Sequence, residues 1–221
     1  MIGTKHEPIV LLTALIACLI ISGWSPFDRL TWLLEVFPIL IGAPLLIATY
    51  KRFPLTSLLY RLLFIHSLVL TLGAHYTYAR VPIGYWLQDI FSLTRNHYDR
   101  IGHLAQGFFP AILAREILLR RSPLVPGKWL FFLVVCVCLA FSALYEMLEW
   151  WTAIMSGEAA VAFLATQGDV WDTQWDMFLA LIGSLAAQIM FASSHNRSIA
   201  RIDPRAECKM PASSPSCPPA S

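Results

Sequence analysis

The stretch KWLFFLVVCVCLAFSALYEML, residues 128–148, decides the fold class of this chain. Its charged residues are Lys128 at one end and Glu146 near the other, and apolar side chains fill nearly every position between them. A helix needs about 20 mostly apolar residues to cross the hydrocarbon core of a bilayer. The stretch therefore predicts a transmembrane helix rather than part of a water-soluble core.

The rest of the 221-residue sequence has the same character. Hydrophobic residues make up 57% of the chain and charged residues only 14%, against about 25% charged residues in a typical soluble domain. Further stretches long enough, or nearly long enough, to span a membrane are Pro8–Gly23, Leu30–Tyr50, Leu58–Ala79, Ile101–Leu119 and Trp175–Ala192. The sequence thus predicts an all-α, polytopic membrane bundle with about six transmembrane helices.

The distribution of basic residues predicts how these helices thread the membrane. Cytoplasmic loops of membrane proteins are enriched in Lys and Arg. With the N-terminus inside, the inner segments hold twelve of the sixteen basic residues, and the outer loops hold Arg29, Arg80, Arg95 and Arg100. We therefore expect both termini to be cytoplasmic. Arg115, near the inner end of the fourth span, is expected to extend its guanidinium to the cytoplasmic headgroups.

Three regions outside the spans have compositions of their own. Residues 193–221 are basic and then rich in Pro and Ser, which predicts a disordered cytoplasmic tail after a transmembrane domain of residues 1–192. The outer loop Val81–Arg100 has room for a short interfacial helix. The apolar patch Ala159–Ala165 is too short to span, so we expect it to lie in the interface or to re-enter the membrane.

Ionisable residues gather at the predicted outer ends of four helices. They are His75, His97, Asp99, His103, Glu146, Glu149, Asp169, Asp172 and Asp176. Residues three or four apart share one face of a helix. Asp99 with His103, and Glu146 with Glu149, have this spacing. The sequence therefore predicts that polar groups distant along the chain meet at one depth in the membrane.

The last predicted helix carries small residues on the face that continues from Asp176. They are Ala180, Gly183 and Ala187. Without bulky side chains, two helices in a membrane can bring their backbones close together. We therefore expect another helix to pack tightly along this face, next to the ionisable residues.

This collection of side chains is typical of a metal site. Imidazole and carboxylate suit Zn²⁺, Mn²⁺ or iron, and carboxylates also hold Mg²⁺ on a phosphate. The predicted ligands are His97, Asp99, His103, Asp172 and Asp176, with His75 as a further ligand. Glu146 and Glu149 lie at a helix C-terminal end, where the dipole disfavours anions, and either is suited to act as general base. The resulting hypothesis is an enzyme that uses a divalent metal to act on a lipid or polyprenyl headgroup at the outer leaflet.

Other functions remain open at this point. Asp169 and Asp172 also suit the N-terminus of a helix, where they cap free N–H groups. The cluster equally fits a network of charges and protons in a small transporter, a lipid-binding accessory protein, or a set of contacts that only fixes helix packing. Membrane lipid is the expected partner. No phosphate-binding loop or dinucleotide motif is present, and nothing indicates nucleic-acid binding.

Three strings that carry these residues resemble a known family. HYDRIGH at residues 97–103, YEMLEW at 145–150 and GDVWDTQWDM at 168–177 are similar to the YjdF-like family of bacterial inner-membrane proteins. The resemblance covers the chain from about Leu58 to Ala192. It implies a multi-pass protein of the bacterial inner membrane and carries no implication about a reaction.

Overall fold

All the secondary structure in the described residues is helical. The computed structural model describes residues 6–156 and 166–203, and within these ranges there is no β-strand. The helices are α1 (Glu7–Trp24), α2 (Arg29–Thr49), α3 (Ser57–Tyr76), α4 (Pro82–Phe91), α5 (Tyr98–Arg121), α6 (Lys128–Ser156) and α7 (Asp172–Ala200). The all-α class predicted from composition is confirmed.

Five of these helices are long and apolar enough to cross a membrane. They are α1, α2, α3, α7 and the part Lys128–Met155 of α6. The fourth predicted span corresponds to α5, which is more polar than the others. Its 24 residues extend about 36 Å, which exceeds a hydrocarbon core of about 30 Å. The length of α5 therefore fits a crossing, but its polar side chains need cover from neighbouring helices.

Neighbouring helices shield these side chains because α5 lies at the centre of the bundle. It packs mainly against α7 and also against α6 and α3, while α1 and α2 pack against α3. The fully buried apolar core includes Leu59, Ile112, Leu119, Val134 and Ile199. Four polar residues of α5 are consequently buried against other helices: Asp99, His103, Arg115 and Glu116.

The helices α5 and α7 approach each other most closely at two glycines. A methyl group at Gly107 would overlap the backbone carbonyl of Ala180, and one at Gly183 would overlap the carbonyl of Leu104. Such contacts require residues without side chains, as is common where membrane helices cross. The predicted tight packing on the small-residue face of the last helix is confirmed, and it brings the first turns of α5 and α7 together.

A short amphipathic helix, α4, occupies the loop between α3 and α5. Its exposed side chains include Trp86, Ile90 and Phe91, a pattern typical of helices that lie in the membrane interface. The sequence predicted a short helix in this loop, and the helix is present. Asn96, which follows it, packs against Gly84 and donates to the Val81 carbonyl, so that α4 is tied to the start of α5.

The last helix is longer than the sequence predicted. It ends at Ala200 instead of Ala192, and His195 and Ile199 are fully buried within the bundle. Residues 193–196 have a polar sequence, but the structure buries the His195 ring against Glu116. The later part of the predicted tail, from residue 204 onward, lies outside the described residues, as does the Ala159–Ala165 patch.

A buried polar network joins α3, α5 and α7 at the end of the bundle remote from the first turn of α5. We call it the Glu116 network, and it consists of Thr56, Arg115, Glu116, Arg120, His195 and Asn196. The carboxylate of Glu116 accepts from the Thr56 hydroxyl at 2.8 Å, from Arg120 at 2.7 Å and from His195 at 2.9 Å. Arg115 is only 3% exposed, so the prediction that it extends to the headgroups is wrong.

Candidate functional site

The imidazole of His103 lies at the centre of the candidate site. Asp99 is one turn earlier on α5, and its Oδ1 lies 3.6 Å from Nε2 of His103. The crossing of α5 and α7 brings Oδ2 of Asp176 to 3.8 Å from the same nitrogen. On the other side of the ring, Oε1 of Glu146 on α6 lies 3.7 Å from Nδ1. Three helices thus deliver carboxylates to both ring nitrogens.

Two overlapping sets of side chains have the spacing of metal ligands. Ligand atoms of Asp99, His103 and Asp176 all lie within 4.8 Å of one another, and the same holds for His103, Glu146 and Glu149. Ligands of a tetrahedral ion at bond lengths of about 2.0–2.1 Å lie about 3.3 Å apart. The distances of 3.6–3.8 Å between the His103 nitrogens and the nearest carboxylate oxygens exceed this value by about 0.3–0.5 Å.

Several buried atoms of the site have no hydrogen-bond partner among the described residues. They are Nδ1 of His103, Oε1 of Glu146, Oδ1 of Asp176 and Oγ of the neighbouring Ser142. The residues His103, Glu146 and Asp176 are 4%, 8% and 2% exposed. Leaving one buried polar group unsatisfied costs about 1–3 kcal/mol. Each of these atoms therefore retains the capacity to bind a further group, such as an ion or a water molecule.

The site also contains more acidic than basic side chains. Five carboxyl groups surround the His103 ring or its neighbours, and we call them with His103 the His103 cluster. They belong to Glu35, Asp99, Glu146, Glu149 and Asp176. In the described part of the chain, no Lys or Arg lies within 4.0 Å of any of these carboxylates. So many anions in a membrane-embedded bundle require cations or protons to compensate them.

The two arginines nearest the site form ion pairs with carboxylates outside the His103 cluster. Arg95 binds Oδ1 of Asp172 at 2.6 Å and also donates to the Thr166 carbonyl. Arg100 binds Oδ2 of Asp169 at 2.8 Å. The backbone N–H of Trp171 donates to Asp169 and, together with the arginines, lowers the pKa of that carboxyl below its ordinary value of 3.8. These ion pairs tie the segment before α7 to the start of α5.

Comparison with known proteins places the chain in a family. The family described as Predicted membrane protein (DUF2238) matches residues 7–197. The chain belongs to this family. Inner membrane protein YjdF of Escherichia coli (strain K12) is 50% identical over 198 residues, which are 88% of this chain and 95% of the relative. No solved structure matches.

Membership of the DUF2238 family confirms the resemblance found in the sequence. The match begins before Leu58 and includes α1 and α2, so the family extends further toward the N-terminus than the three strings indicated. Together with the apolar helices and the inner-membrane relative, it establishes this DUF2238 protein as a multi-pass protein of the bacterial inner membrane.

The structure brings together some of the predicted site residues of this DUF2238 protein and not others. Asp99, His103, Asp176, Glu146 and Glu149 meet in the His103 cluster. Asp172, although buried, belongs to neither ligand set and forms an ion pair with Arg95. The predicted spacings of four residues on α5 (Asp99 and His103) and three residues on α6 (Glu146 and Glu149) therefore located most of the cluster.

The two other predicted ligands, His75 and His97, lie elsewhere. Nδ1 of His75 is 2.8 Å from the backbone carbonyl oxygen of Ser22, on the side of α3 that faces α1. His97 lines a surface cavity of about 410 Å³ with Arg95 and Arg100. Partial burial, and then the two arginines, lower the pKa of His97. Neither imidazole belongs to a ligand set of the described residues.

Sequence reasoning missed one member of the cluster, Glu35 on α2. Glu35 is 5% exposed, and its Oε2 accepts from the Tyr145 hydroxyl at 3.4 Å. Its carboxyl group is close enough to those of Asp99 and Glu149 to interact electrostatically. The signal was present in the sequence, because a single Glu inside the apolar run LLEVF, residues 33–37, is a candidate functional residue in a membrane helix.

Proposed function

We propose that this protein crosses the membrane six times with both termini in the cytoplasm. Five apolar helices together with α5 supply the six crossings. This arrangement places Arg120 and Arg121 at the end of α5, and Lys128 at the start of α6, on the cytoplasmic side, as the bias of basic residues favours. The His103 cluster then lies toward the outer leaflet.

We further propose that the His103 cluster binds one divalent metal ion. The observation that carries this proposal is the fully buried ligand set Asp99, His103 and Asp176 on the Nε2 side of the imidazole, in which Oδ1 of Asp176 has no partner among the described residues. A mixed imidazole and carboxylate set suits Zn²⁺ or Mn²⁺ better than Ca²⁺ or Mg²⁺, which prefer oxygen alone. Three protein ligands leave a coordination position for water or substrate, as in catalytic sites.

The depth of the cluster favours a substrate whose reacting group is at the lipid headgroup. His103 is five residues after Tyr98, the first residue of α5, which places it about 8 Å along the helix from its end. A phosphate at the membrane surface is within reach of such a site. The neighbouring helix α4 presents Trp86 and Phe91 outward, which suits a surface on which lipid is held.

The reaction that fits these features is metal-dependent hydrolysis or transfer at a lipid or polyprenyl phosphate headgroup. A bound ion would supply Lewis-acid chemistry to a phosphoryl oxygen or to water. Glu149 is half-buried, lies outside the ligand set on the Nε2 side, and is close enough to Asp99 and Asp176 to interact with them, so it is suited to accept a proton from that water. Glu146, beside Nδ1, would hold the imidazole in the orientation that presents Nε2 to the ion.

Metal analysis of the purified protein tests the binding step. The protein in detergent is stripped with a chelator, loaded with Zn²⁺, Mn²⁺ or Mg²⁺, and its metal content is measured after removal of free ions. We expect one ion per chain in the wild type and in the control His75→Ala, and loss of most bound metal in His103→Ala. Absence of stoichiometric metal from the folded wild type would overturn the proposal.

Product analysis tests the catalytic step separately. Metal-loaded protein is incubated in vesicles with polyprenyl phosphates and phospholipids, and released phosphate or headgroup is measured by mass spectrometry. We expect turnover in the wild type and loss of at least about 100-fold in Glu149→Gln, the size of general-base contributions. Metal binding without turnover would instead favour a transporter or an accessory protein. In a transporter, the carboxylates of the cluster would bind the ions or protons that are carried.

A further inference from the structure

The strongest unexplained feature outside the His103 cluster is the buried guanidinium of Arg115. Its NH1 group donates to Nδ1 of His195 at 3.0 Å, and its NH2 group donates to Oδ1 of Asn196 at 2.6 Å. Both acceptors are neutral, because a His195 ring that accepts at Nδ1 while donating from Nε2 to Glu116 carries no charge. Among the described residues, no carboxylate lies within 4.0 Å of Arg115.

The neighbouring Arg120 differs from Arg115 because its direct partners are charged. Arg120 binds Glu116 at 2.7 Å and Asp203 at 3.1 Å, so two carboxylates compensate its charge. Glu116 reaches Arg115 only through the His195 ring. A buried cation whose direct partners are all neutral is costly in a membrane protein, and an anion bound beside it would remove that cost.

A cavity of about 400 Å³ lies beside Arg115. Its charged lining residues are Arg115 and Lys128, both cationic, and Asn196 and Gln188 supply amide groups. Leu130 and Phe131 form part of the apolar wall. The cavity therefore combines two positive charges and neutral hydrogen-bonding groups with an apolar surface.

The first turn of α6 adds to the positive potential of this cavity. Helix α6 begins at Lys128, and Gly127, Lys128, Leu130 and Phe131 all line the cavity. The first N–H groups of a helix lack acceptors within the helix and attract anions together with the helix dipole. This helix start points into the same cavity as the independently buried charge of Arg115.

We propose that this cavity binds a phosphate group, either on an anionic lipid or as a free phosphate compound. The apolar wall accommodates the start of an acyl chain, and basic pockets between membrane helices are known to receive anionic lipid headgroups. The site is distinct from the His103 cluster. Arg115 follows His103 by twelve residues on α5, which separates the two sites by about 18 Å along the helix.

A titration with two kinds of ligand distinguishes the sources of the phosphate. Protein in neutral detergent is titrated with phosphatidylglycerol, with phosphatidylcholine and with inorganic phosphate at constant ionic strength, and binding is followed by thermal stabilisation and native mass spectrometry. The variants are Lys128→Gln and Arg115→Gln. The matched control is Lys51→Gln, which removes an exposed lysine outside the cavity.

For a lipid ligand, we expect preferential binding of phosphatidylglycerol, weakened about fivefold by Lys128→Gln, more by Arg115→Gln and less than twofold by Lys51→Gln. Saturable binding of inorganic phosphate with the same dependence on Lys128 would support a free phosphate compound. The Lys128→Gln variant carries the test if Arg115→Gln does not fold. Binding of neither ligand, or equal loss in Lys128→Gln and Lys51→Gln, would overturn the proposal.

Discussion

The Glu116 network and the His103 cluster place the same side chains, imidazole and carboxylate, at opposite ends of α5. In the Glu116 network, hydrogen bonds of 2.7–3.0 Å satisfy Glu116 with Thr56, Arg120 and His195. In the His103 cluster, the imidazole and carboxylate atoms stand 3.6–3.8 Å apart.

This difference in partners shows how a buried polar group can be assigned a role. Glu116, Arg120 and His195 each find a complementary donor or acceptor within the protein, which is sufficient to explain their burial. The His103 cluster collects acidic groups around one imidazole and leaves ligand atoms without partners. The first arrangement stabilises the bundle, whereas the second is suited to receive a cation. Four substitutions test whether the two ends of α5 differ in this way.

The largest effect on stability is expected from Glu116→Ala. The substitution leaves Arg120 and His195 buried without their shared acceptor, and breaking a buried ion pair costs about 3–5 kcal/mol. We expect this loss in the free energy of unfolding, measured by tryptophan fluorescence during denaturation in mixed micelles. In the presence of a chelator, His103→Ala should lose far less free energy of unfolding. Equal losses in Glu116→Ala and His103→Ala would contradict the difference between the Glu116 network and the His103 cluster.

A smaller loss is expected from Arg95→Gln. The substitution deprives the buried Asp172 of its 2.6 Å partner, and a hydrogen bond to a charged group contributes about 1.5–3 kcal/mol. The same unfolding measurement applies, with the exposed Arg29→Gln as control. If Arg95→Gln is as stable as the control, then the ion pairs before α7 do not hold that segment in place.

The effect of Asp176→Asn should change sign with metal. In chelator, the substitution removes one of several neighbouring acidic groups, and the free energy of unfolding should rise by about 1 kcal/mol because like charges repel. In saturating Zn²⁺ or Mn²⁺, the variant should be less stable than the wild type because it has lost a ligand. If metal changes the stability of neither the wild type nor Asp176→Asn, the result would favour a cluster whose acidic groups are compensated by protons instead of a metal ion.

The smallest effect on stability is expected from Asp169→Asn, and it should depend on pH. Its pKa is lowered in the folded protein by the Trp171 N–H and the two arginines, so its contribution to stability is present above pH 3.8 and is lost as pH falls through the lower, folded value. The unfolding midpoints of wild type and Asp169→Asn should differ near neutral pH and converge under strong acid. A difference that grows on acidification would have the wrong sign.

Much of the architecture followed from local patterns in the sequence. The apolar run at residues 128–148 predicted α6, and the Asp99 and His103 spacing predicted two groups on one helix face. Both inferences depend on helical periodicity, which is a property of a short segment. The glycine and alanine face of α7 predicted its close packing for the same reason.

The errors came from contacts between segments distant in sequence. His75 is at the predicted end of its helix but faces α1, and rotation about a helix axis depends on the neighbours. His195 was assigned to a polar tail because its partner, Glu116, is 79 residues earlier in the chain. Glu35 was overlooked because one charge barely alters the mean hydropathy of an apolar span.

The central claim is that His103 is a ligand of a bound metal ion. Mn²⁺ is paramagnetic, and pulsed electron paramagnetic resonance detects an imidazole nitrogen bound to it directly. We expect a single nitrogen coupling in the wild type and in His75→Ala, and none in His103→Ala. A nitrogen coupling that survives in His103→Ala, or bound Mn²⁺ without any nitrogen coupling in the wild type, would contradict the account.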